Sequence, residues 1–314
     1  MKNYTIKRYN SEYFMIWNAF VSSSSNATFL FYRDFMEYHS DRFEDYSLLV
    51  FEDEKLISIL PANRVDDTIF SHQGLTFGGF VFENNVTSSE IKSVILKVLS
   101  FFKENNFKVL QIKEIVSIYC DDGYKEISSF LLDNGAIISS KKMNLAIDFK
   151  SNFRVSKSKL KHFKRINTIG LEIKKEDDLS VFWKEVLIPR LDQKFSSKPV
   201  HSIDEIAKLK AKFPENIYQY NVYLDDEVLA GITIFKTKKI IKSQYGATTE
   251  NGQKYRALDF LYLNLINEFK DEFDFFDMGT VDDDSELGYN IGLFNQKKEL
   301  GCSVFEQNFY ELLL

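Results

Sequence analysis

Of the four histidines in the chain, His72 lies in the run Ser71-His72-Gln73-Gly74 at the end of an apolar stretch. Its ordinary pKa of roughly 6.5 suits a general base; the competing reading is a structural imidazole. Gln73 beside it is placed to contact a substrate. His201 follows Lys198-Pro199-Val200 and precedes a helix started near Asp204, a position for capping or for substrate binding. His39 and His162 sit in charged helical contexts and read as surface. Arg190 and Lys194, four apart on a helix begun after Asp178, would hold a phosphate or face solvent. Lys254 and Arg256 place two cations in the loop Asn251 to Ala257, either anion ligands or ordinary loop charges. A denser group is Arg154, Lys157, Lys159, Lys161, Lys164 and Arg165, within twelve residues that contain no acid. Leu160, Phe163 and Ile166 recur there at helical spacing. The segment reads as an amphipathic helix, either a solvated linker or a face for a polyanion such as a nucleotide diphosphate, coenzyme A or tRNA. Asp282, Asp283, Asp284 and Glu286 have no His or Cys near them and lack calcium-loop spacing, so they read as loop acids and no metal is expected. The chain contains no nucleophile elbow, Walker loop or zinc signature.

The elements that must position these residues occur twice. Val50 to Glu54 followed by Lys55 to Leu60 predicts a strand, a tight acidic turn and a second strand; Val222 to Asp226 followed by Glu227 to Ile232 predicts the same, 172 positions on. Ser71-His72-Gln73-Gly74 corresponds to Ser243-Gln244-Tyr245-Gly246 at the same offset, and Gly135 corresponds to Gly301 at an offset of 166. A repeat this long means two domains of one fold rather than a solenoid, with a boundary at 150/151. The expected first-copy elements after the hairpin are a strand from Thr68 to Phe80, a helix from Ser88 to Phe102 capped by Ser88 or Ser89, a strand from Phe107 to Ile112, a helix from Lys125 to Leu132 and a strand from Ile137 to Phe149. The second copy gives Ile217 to Phe235 as hairpin, then strand Ile240 to Thr248, helix Arg256 to Phe269, strand Phe273 to Gly279, helix Gly292 to Leu300 and strand Ser303 to Leu312. An antiparallel start feeding a strand-helix-strand crossover predicts an α+β fold, each domain a mixed, mostly antiparallel sheet flanked by helices.

Composition is consistent with two ordinary cores: 314 residues, 44% hydrophobic and 27% charged, with thirty Phe and sixteen Tyr. The net charge of −6 argues against broad coating of nucleic acid. Cys120 and Cys302 are the only cysteines and have no paired-ligand spacing, a reduced, intracellular pattern. With no signal-like apolar region at the start and no apolar run long enough for a membrane span, the expectation is a soluble cytoplasmic protein.

The element order resembles that of the GNAT acyltransferase superfamily, and its duplication resembles the tandem arrangement of the Fem-type peptidoglycan aminoacyltransferases. In GNAT enzymes the last helix often carries Asn, a small or apolar residue three on, Tyr seven on and Gly eleven on; here those positions are Asn290, Leu293, Lys297 and Gly301. They lie along one side of a helix, so Lys297 stands where the family often has a tyrosine proton donor. The Fem-type segment Asn-x-Gly-Leu-x-x-Phe-Lys-x-x-Phe-Gly is similar to Asn290 through Gly301, with Gln296 and Leu300 as departures. The basic segment with Lys161, Lys164, Arg165 and Ile166 before Gly170 is also similar to the cationic stretch that precedes the Fem second domain. In the first copy the four helix positions become Tyr124, Ile127, Leu131 and Gly135. Leucine cannot donate a proton or hold a phosphate, which assigns any acyl chemistry to the second copy and leaves the first as an acceptor wall.

The resemblance implies a donor thioester held by backbone amides of Gln244, Tyr245, Gly246 and Ala247 opposite Asp277 to Gly279, with pyrophosphate near Asn251 to Ala257. The family's glycine-rich loop is absent there, and Lys254 and Arg256 would replace it. Lys297 would stabilise thiolate, oxyanion or donor phosphate. Tyr289 is a second proton donor, Asn290 a substrate contact, and the acceptor would enter past His72, Gln73, Arg190 and His201. Segments Asn26 to Val50, Ser71 to Phe80, Lys198 to Ile206 and Asn295 to Gly301 resemble bacterial amino-sugar N-acyltransferases, which implies acyl-coenzyme A as donor and a nucleotide-linked amino deoxysugar as acceptor. The alternatives are a Fem-like transfer from aminoacyl-tRNA to a cell-wall precursor, and a non-catalytic GNAT-like binding protein.

Overall fold

The two acidic turns explain why one hairpin forms twice. Asp53 and Asp225 both take the left-handed backbone conformation, φ 52° and 53°, which aspartate tolerates better than most residues with a Cβ. Each hairpin carries an extra residue in its second strand, Ile57 in the first and Leu229 in the second, 172 positions apart like the turns. Gly135 and Gly301, at the later offset, follow helices with φ 93° and 102°, the left-handed step that ends a helix most cheaply with glycine. The duplication is therefore one of backbone geometry as well as of sequence.

The computed structural model describes residues 3–120 and 125–314; Tyr124, the counterpart of Asn290, lies outside them. The chain forms two compact units, Met1–Lys142 with Phe305–Leu314, and Met143–Val304. The C-terminal strand thus returns to the first unit.

In the first unit the strands are β1 Tyr4–Arg8, β2 Glu44–Asp45, β3 Leu48–Glu52, β4 Lys55–Leu60, β5 Asn63–Val65, β6 Thr68–Phe70, β7 Val81–Phe82 and β8 Val109–Lys113. The helices are α1 Phe14–Ser23, α2 Arg33–Met36, α3 Ser88–Glu104 and α4 Lys125–Asp133. Strands β1, β3, β4 and β7 make one antiparallel sheet; β8, β6, β5 and β2 follow one another in a second, in which β6 and β8 run parallel from Thr68 opposite Val109. Helix α3 buries Ile91, Val94, Ile95, Val98, Leu99 and Phe102, the stripe that a 3.6-residue period places on one face. Its cap is Thr87, not Ser88 or Ser89: the Thr87 hydroxyl accepts from the amide of Glu90, whose carboxylate accepts from the amide of Thr87, a capping box. The long strand expected from Thr68 to Phe80 stops at Phe70. His72 has φ +67°, its carbonyl closes a turn to Leu75, and Gly78 returns to donate to Lys113 O. Any Cβ on Gly78 would lie 1.9 Å from Ser71 O, so that return requires glycine.

Strand β9, Ile137–Asp148, begins in the first unit and ends in the second. The second unit continues with α5 Lys157–Ile166, β10 Glu172–Glu176, α6 Ile188–Phe195, α7 Ile203–Lys212, β11 Ile217–Leu224, β12 Glu227–Lys236, β13 Ile240–Thr248, α8 Glu250–Tyr255, α9 Ala257–Phe269, β14 Phe275–Thr280 and α10 Ile291–Glu299. The last strand is β15, Ser303–Leu313. The sheet order β10-β11-β12-β13-β14-β9 is antiparallel except for β13 beside β14. Its parallel register, Ile240 opposite Phe275, reproduces Thr68 opposite Val109 at offsets of 172 and 166. A π-helical turn, Phe182–Leu187, precedes α6 and lays Phe182 against Gly231, where a Cβ would sit 2.4 Å from the ring. The segment Asn251 to Tyr255, expected as a loop, is helical, and α9 starts only after Arg256, whose φ of +52° breaks the helical path.

Candidate active site

The site of interest begins where two parallel strands cease to pair. Strands β13 and β14 are matched only from Ile240–Phe275 to Lys242–Asp277; both then continue, β13 to Thr248 and β14 to Thr280. The cause is local. Gln244 is an extra residue in β13 relative to β12, between Ser243 opposite Ile234 and Tyr245 opposite Thr233, and a bulge bends its strand. At Gly279, φ is +76°, a left-handed step that breaks the extended path of β14. Gly246 is confined as well, since a Cβ there would lie 2.7 Å from the Tyr262 hydroxyl, and that hydroxyl is 3.0 Å from Ser243 Oγ.

At the last paired position lies a buried ionic cluster. Lys242 Nζ donates to Asp277 Oδ2 at 2.9 Å, while Asp277 Oδ1 accepts from Asn144 Nδ2 at 2.9 Å and from the amide of Gly279 at 2.7 Å. Asp277 is 1% exposed, so its charge is held by these donors rather than by water. Lys297 comes from α10 and donates to the carbonyls of Gly279 at 3.0 Å and Thr280 at 2.9 Å. Burial pushes its ammonium down to about 8, partly opposed by the Asp277 carboxylate and reinforced by Lys242. A lysine depressed in this way is protonated at neutral pH and a stronger acid than an exposed one, which is what a leaving thiolate needs. Cys302 lies close by, its thiol pushed up to about 12 by burial and its Sγ 3.2 Å from Met278 Sδ; it is a packing group, not a nucleophile.

This shift has a consequence for stability. Between about pH 8 and the ordinary value of 10.5 the unfolded chain holds a proton on Lys297 that the folded chain does not, so the contribution of this residue to stability is present above 10.5 and lost as pH falls through 8. Wild type is expected to gain roughly 3 kcal/mol relative to Lys297→Met when urea unfolding is moved from pH 7 to pH 10.5; parallel pH dependence of the two proteins would contradict it.

The other expected residues fall into separate groups. Tyr245 and His201 are brought together, with His201 Nδ1 2.6 Å from the Tyr245 hydroxyl and the Trp183 ring edge-on to Tyr245 at 4.9 Å. Burial pushes Tyr245 up to about 12. Arg190, on α6, is partly exposed. Asn290 Oδ1 accepts from the amide of Leu293 at 2.9 Å and so caps α10, a structural task for the side chain expected to contact substrate. Tyr289 packs its ring on Phe294 at 5.3 Å and bridges to Asp282; Asp282 in turn accepts from the amide of Met143. Ala247 is buried in β13, and Lys254 is exposed at the end of α8. In the first unit, Gln73 is locked to Asn63 by reciprocal bonds of 2.8 and 2.9 Å. His72 is buried and pushed down to about 3 by burial, His39, Arg33 and Lys113; the argument from its ordinary pKa therefore does not carry, because such a ring stays neutral and is a weak base. His39, expected on the surface, is buried and stacked on His72 at 5.2 Å.

Helix α5 is not a simple solvated linker. Lys159 is 7% exposed and its Nζ lies 2.6 Å from Asp259 in the first turn of α9, while Leu160 on the expected apolar face is exposed. Phe163 packs against Phe260 at 5.7 Å. This docking sets Arg256, Arg165 and Lys161 around His162, whose protonation is opposed first by desolvation and then by all three cations, with Asp259 acting the other way. The result is a cationic surface at the start of α9.

Lys242, Asp277 and Asn144 escaped notice as chemical groups. The available signal was a charge inside each of two apolar strands, Ile240-Ile241-Lys242 and Phe275-Phe276-Asp277, which in a folded protein calls for a partner.

The fold is a tandem GNAT-like α+β fold. FemX superposes with a TM-score of 0.70 at 11% identity, over 99% of this chain and 97% of that one. L-PGS from Bacillus licheniformis gives a TM-score of 0.58 at 13% identity over 96% and 91%. A tandem GNAT protein from the clavulanic acid biosynthesis pathway gives 0.51 at 9% identity over 99% and 98%. No family model and no curated relative matches the sequence. Among the described residues no helix is long and apolar enough to cross a membrane, and no group of three or more His, Cys, Asp or Glu is placed to hold a metal.

Proposed function

We propose that the chain is an N-acyltransferase that moves an acyl group from acyl-coenzyme A to the amine of a small acceptor, a nucleotide-linked amino deoxysugar, with the donor site in the second unit. The observation that carries this reading is the buried ammonium of Lys297, held on the last carbonyls of β14 beside the point where β13 and β14 part. There the thioester carbonyl would meet unpaired strand edge. The neutral amine attacks that carbonyl, a C–N bond forms, the C–S bond breaks and the thiolate takes a proton from Lys297, while the proton shed by the attacking nitrogen returns through solvent to the neutral lysine and restores its ammonium. The glycine nest that would cradle a pyrophosphate is replaced by the cations of Arg256, Lys161 and Arg165, which supply charge to the phosphates without a backbone cradle.

The same cationic surface, with the similarity to FemX over nearly the whole chain, favours transfer from aminoacyl-tRNA as the second reading. Thermal unfolding of the purified protein with acetyl- and longer acyl-coenzyme A, and separately with charged tRNA, distinguishes them. A saturable rise in Tm with an acyl-coenzyme A, extended by a nucleotide sugar, is the expected result. A rise with charged tRNA alone transfers the assignment to the second reading, and no rise with any donor removes both.

A further inference from the structure

The first unit holds a cavity of about 280 Å³ whose wall includes Phe70, His72, Gln111, Lys113, Ser140 and Phe309. It opens at the same place in the repeat as the parting of β13 and β14. Phe70 and Gln111 are the parallel pair equivalent to Lys242 and Asp277, so the ion pair that fills this position in the second unit is missing in the first. Gln111 instead turns to donate to Glu311 at 2.9 Å, and Lys113 stands at the equivalent of Gly279.

Two features make the cavity a built site rather than a packing fault. Lys113 donates to Leu75 O at 2.6 Å, and no carboxylate is paired with it among the described contacts; burial and Lys142 push it down to about 8, the mark of a cation without a counter-ion. His72 is 3% exposed, its Nδ1 has no hydrogen-bond partner, and its backbone takes a left-handed conformation uncommon for residues with a Cβ. A buried ring nitrogen left unsatisfied is costly, and positive φ adds to it; both persist at functional positions.

We propose that this cavity binds a small anion, a carboxylate or phosphate group, with Lys113 as counter-ion and the neutral His72 ring as hydrogen-bond donor. Stacking on His39 fixes the ring plane. The volume admits a group the size of pyrophosphate or a short dicarboxylate, at about 30 Å³ per water displaced. Only the further step, that the anion belongs to the acceptor, rests on the acyltransferase reading; binding itself does not.

Calorimetric titration of the full chain with pyrophosphate, with malonate and with the neutral malonamide tests it. Saturable binding is expected for one of the two anions and not for malonamide, which names phosphate or carboxylate as the preferred group. Lys113→Met should weaken it at least tenfold. Ser140→Trp, at an exposed strand position where misfolding is not expected, should block it by filling the mouth, and Lys297→Met should leave it unchanged. Absence of binding by both anions, or binding that survives Ser140→Trp, overturns the proposal whatever the outcome of the donor experiments.

Discussion

Replacing Lys297 by methionine is expected to lower turnover by roughly 10²- to 10⁴-fold, the range for losing a positioned general acid, with a native circular-dichroism spectrum and a cooperative unfolding transition retained. Methionine keeps the length of the side chain in a site that is 6% exposed, so packing survives while the charge and proton are lost. The protonated form does the work, so wild-type turnover should also fall as pH rises through about 8, the value to which burial brings this ammonium, and that limb should vanish in the residual activity of the variant. Turnover at the wild-type level in Lys297→Met, or an unchanged limb, would remove Lys297 from the chemistry. The first repeat supplies the internal comparison: its equivalent is Leu131, buried in an apolar core, where no proton can be delivered.

The largest effect on stability is expected at Asp277. Asp277→Ala leaves the buried ammonium of Lys242 with no carboxylate and the amides of Asn144 and Gly279 with no acceptor, and breaking a buried pair from one side costs about 3–5 kcal/mol. Urea unfolding at pH 7 measures it. The double variant Lys242→Met/Asp277→Ala should recover a large part of the loss, because the uncompensated charge goes with the lysine. A loss below about 1 kcal/mol in the single variant, or no recovery in the double, would mean that the cluster is hydrated and does not hold the end of β14. The turn at Gly279, and with it the two carbonyls that seat Lys297, depends on the same carboxylate, so the single variant should lose activity along with stability.

Local rules reach far into this chain. The acidic turns, the bulged hairpins and the helix-ending glycines recur at fixed offsets because each is decided by a few neighbouring residues: an aspartate that accepts positive φ, an apolar alternation, a glycine after a helix. That is why Asp53 and Asp225, or Gly135 and Gly301, could be matched before any contact was known, and why the α+β class followed. Lys297 was legible through the resemblance of Asn290 to Gly301 to the GNAT and Fem-type last helix, with helical spacing placing it on the side of Asn290.

What the sequence left open depended on partners distant along the chain. Nothing near Lys242 indicates that Asp277 and Asn144 will enclose a charge, because the three come from different strands. His39 reads as a surface residue from its charged neighbours, yet its ring is buried on that of His72 across 33 positions of chain. The strand after Phe70 ends because Gly78 must pass against Ser71 and reach Lys113, a closure that apolar periodicity does not register. Lys159, one of five lysines and arginines on α5, is buried only because α9 brings Asp259 to it. Sequence alone determined the repeated elements and which copy has a lysine, rather than a leucine, at the position of Lys297. Tertiary structure decided which charges leave water, because desolvation and pairing are set by what folds against a residue and not by what precedes it.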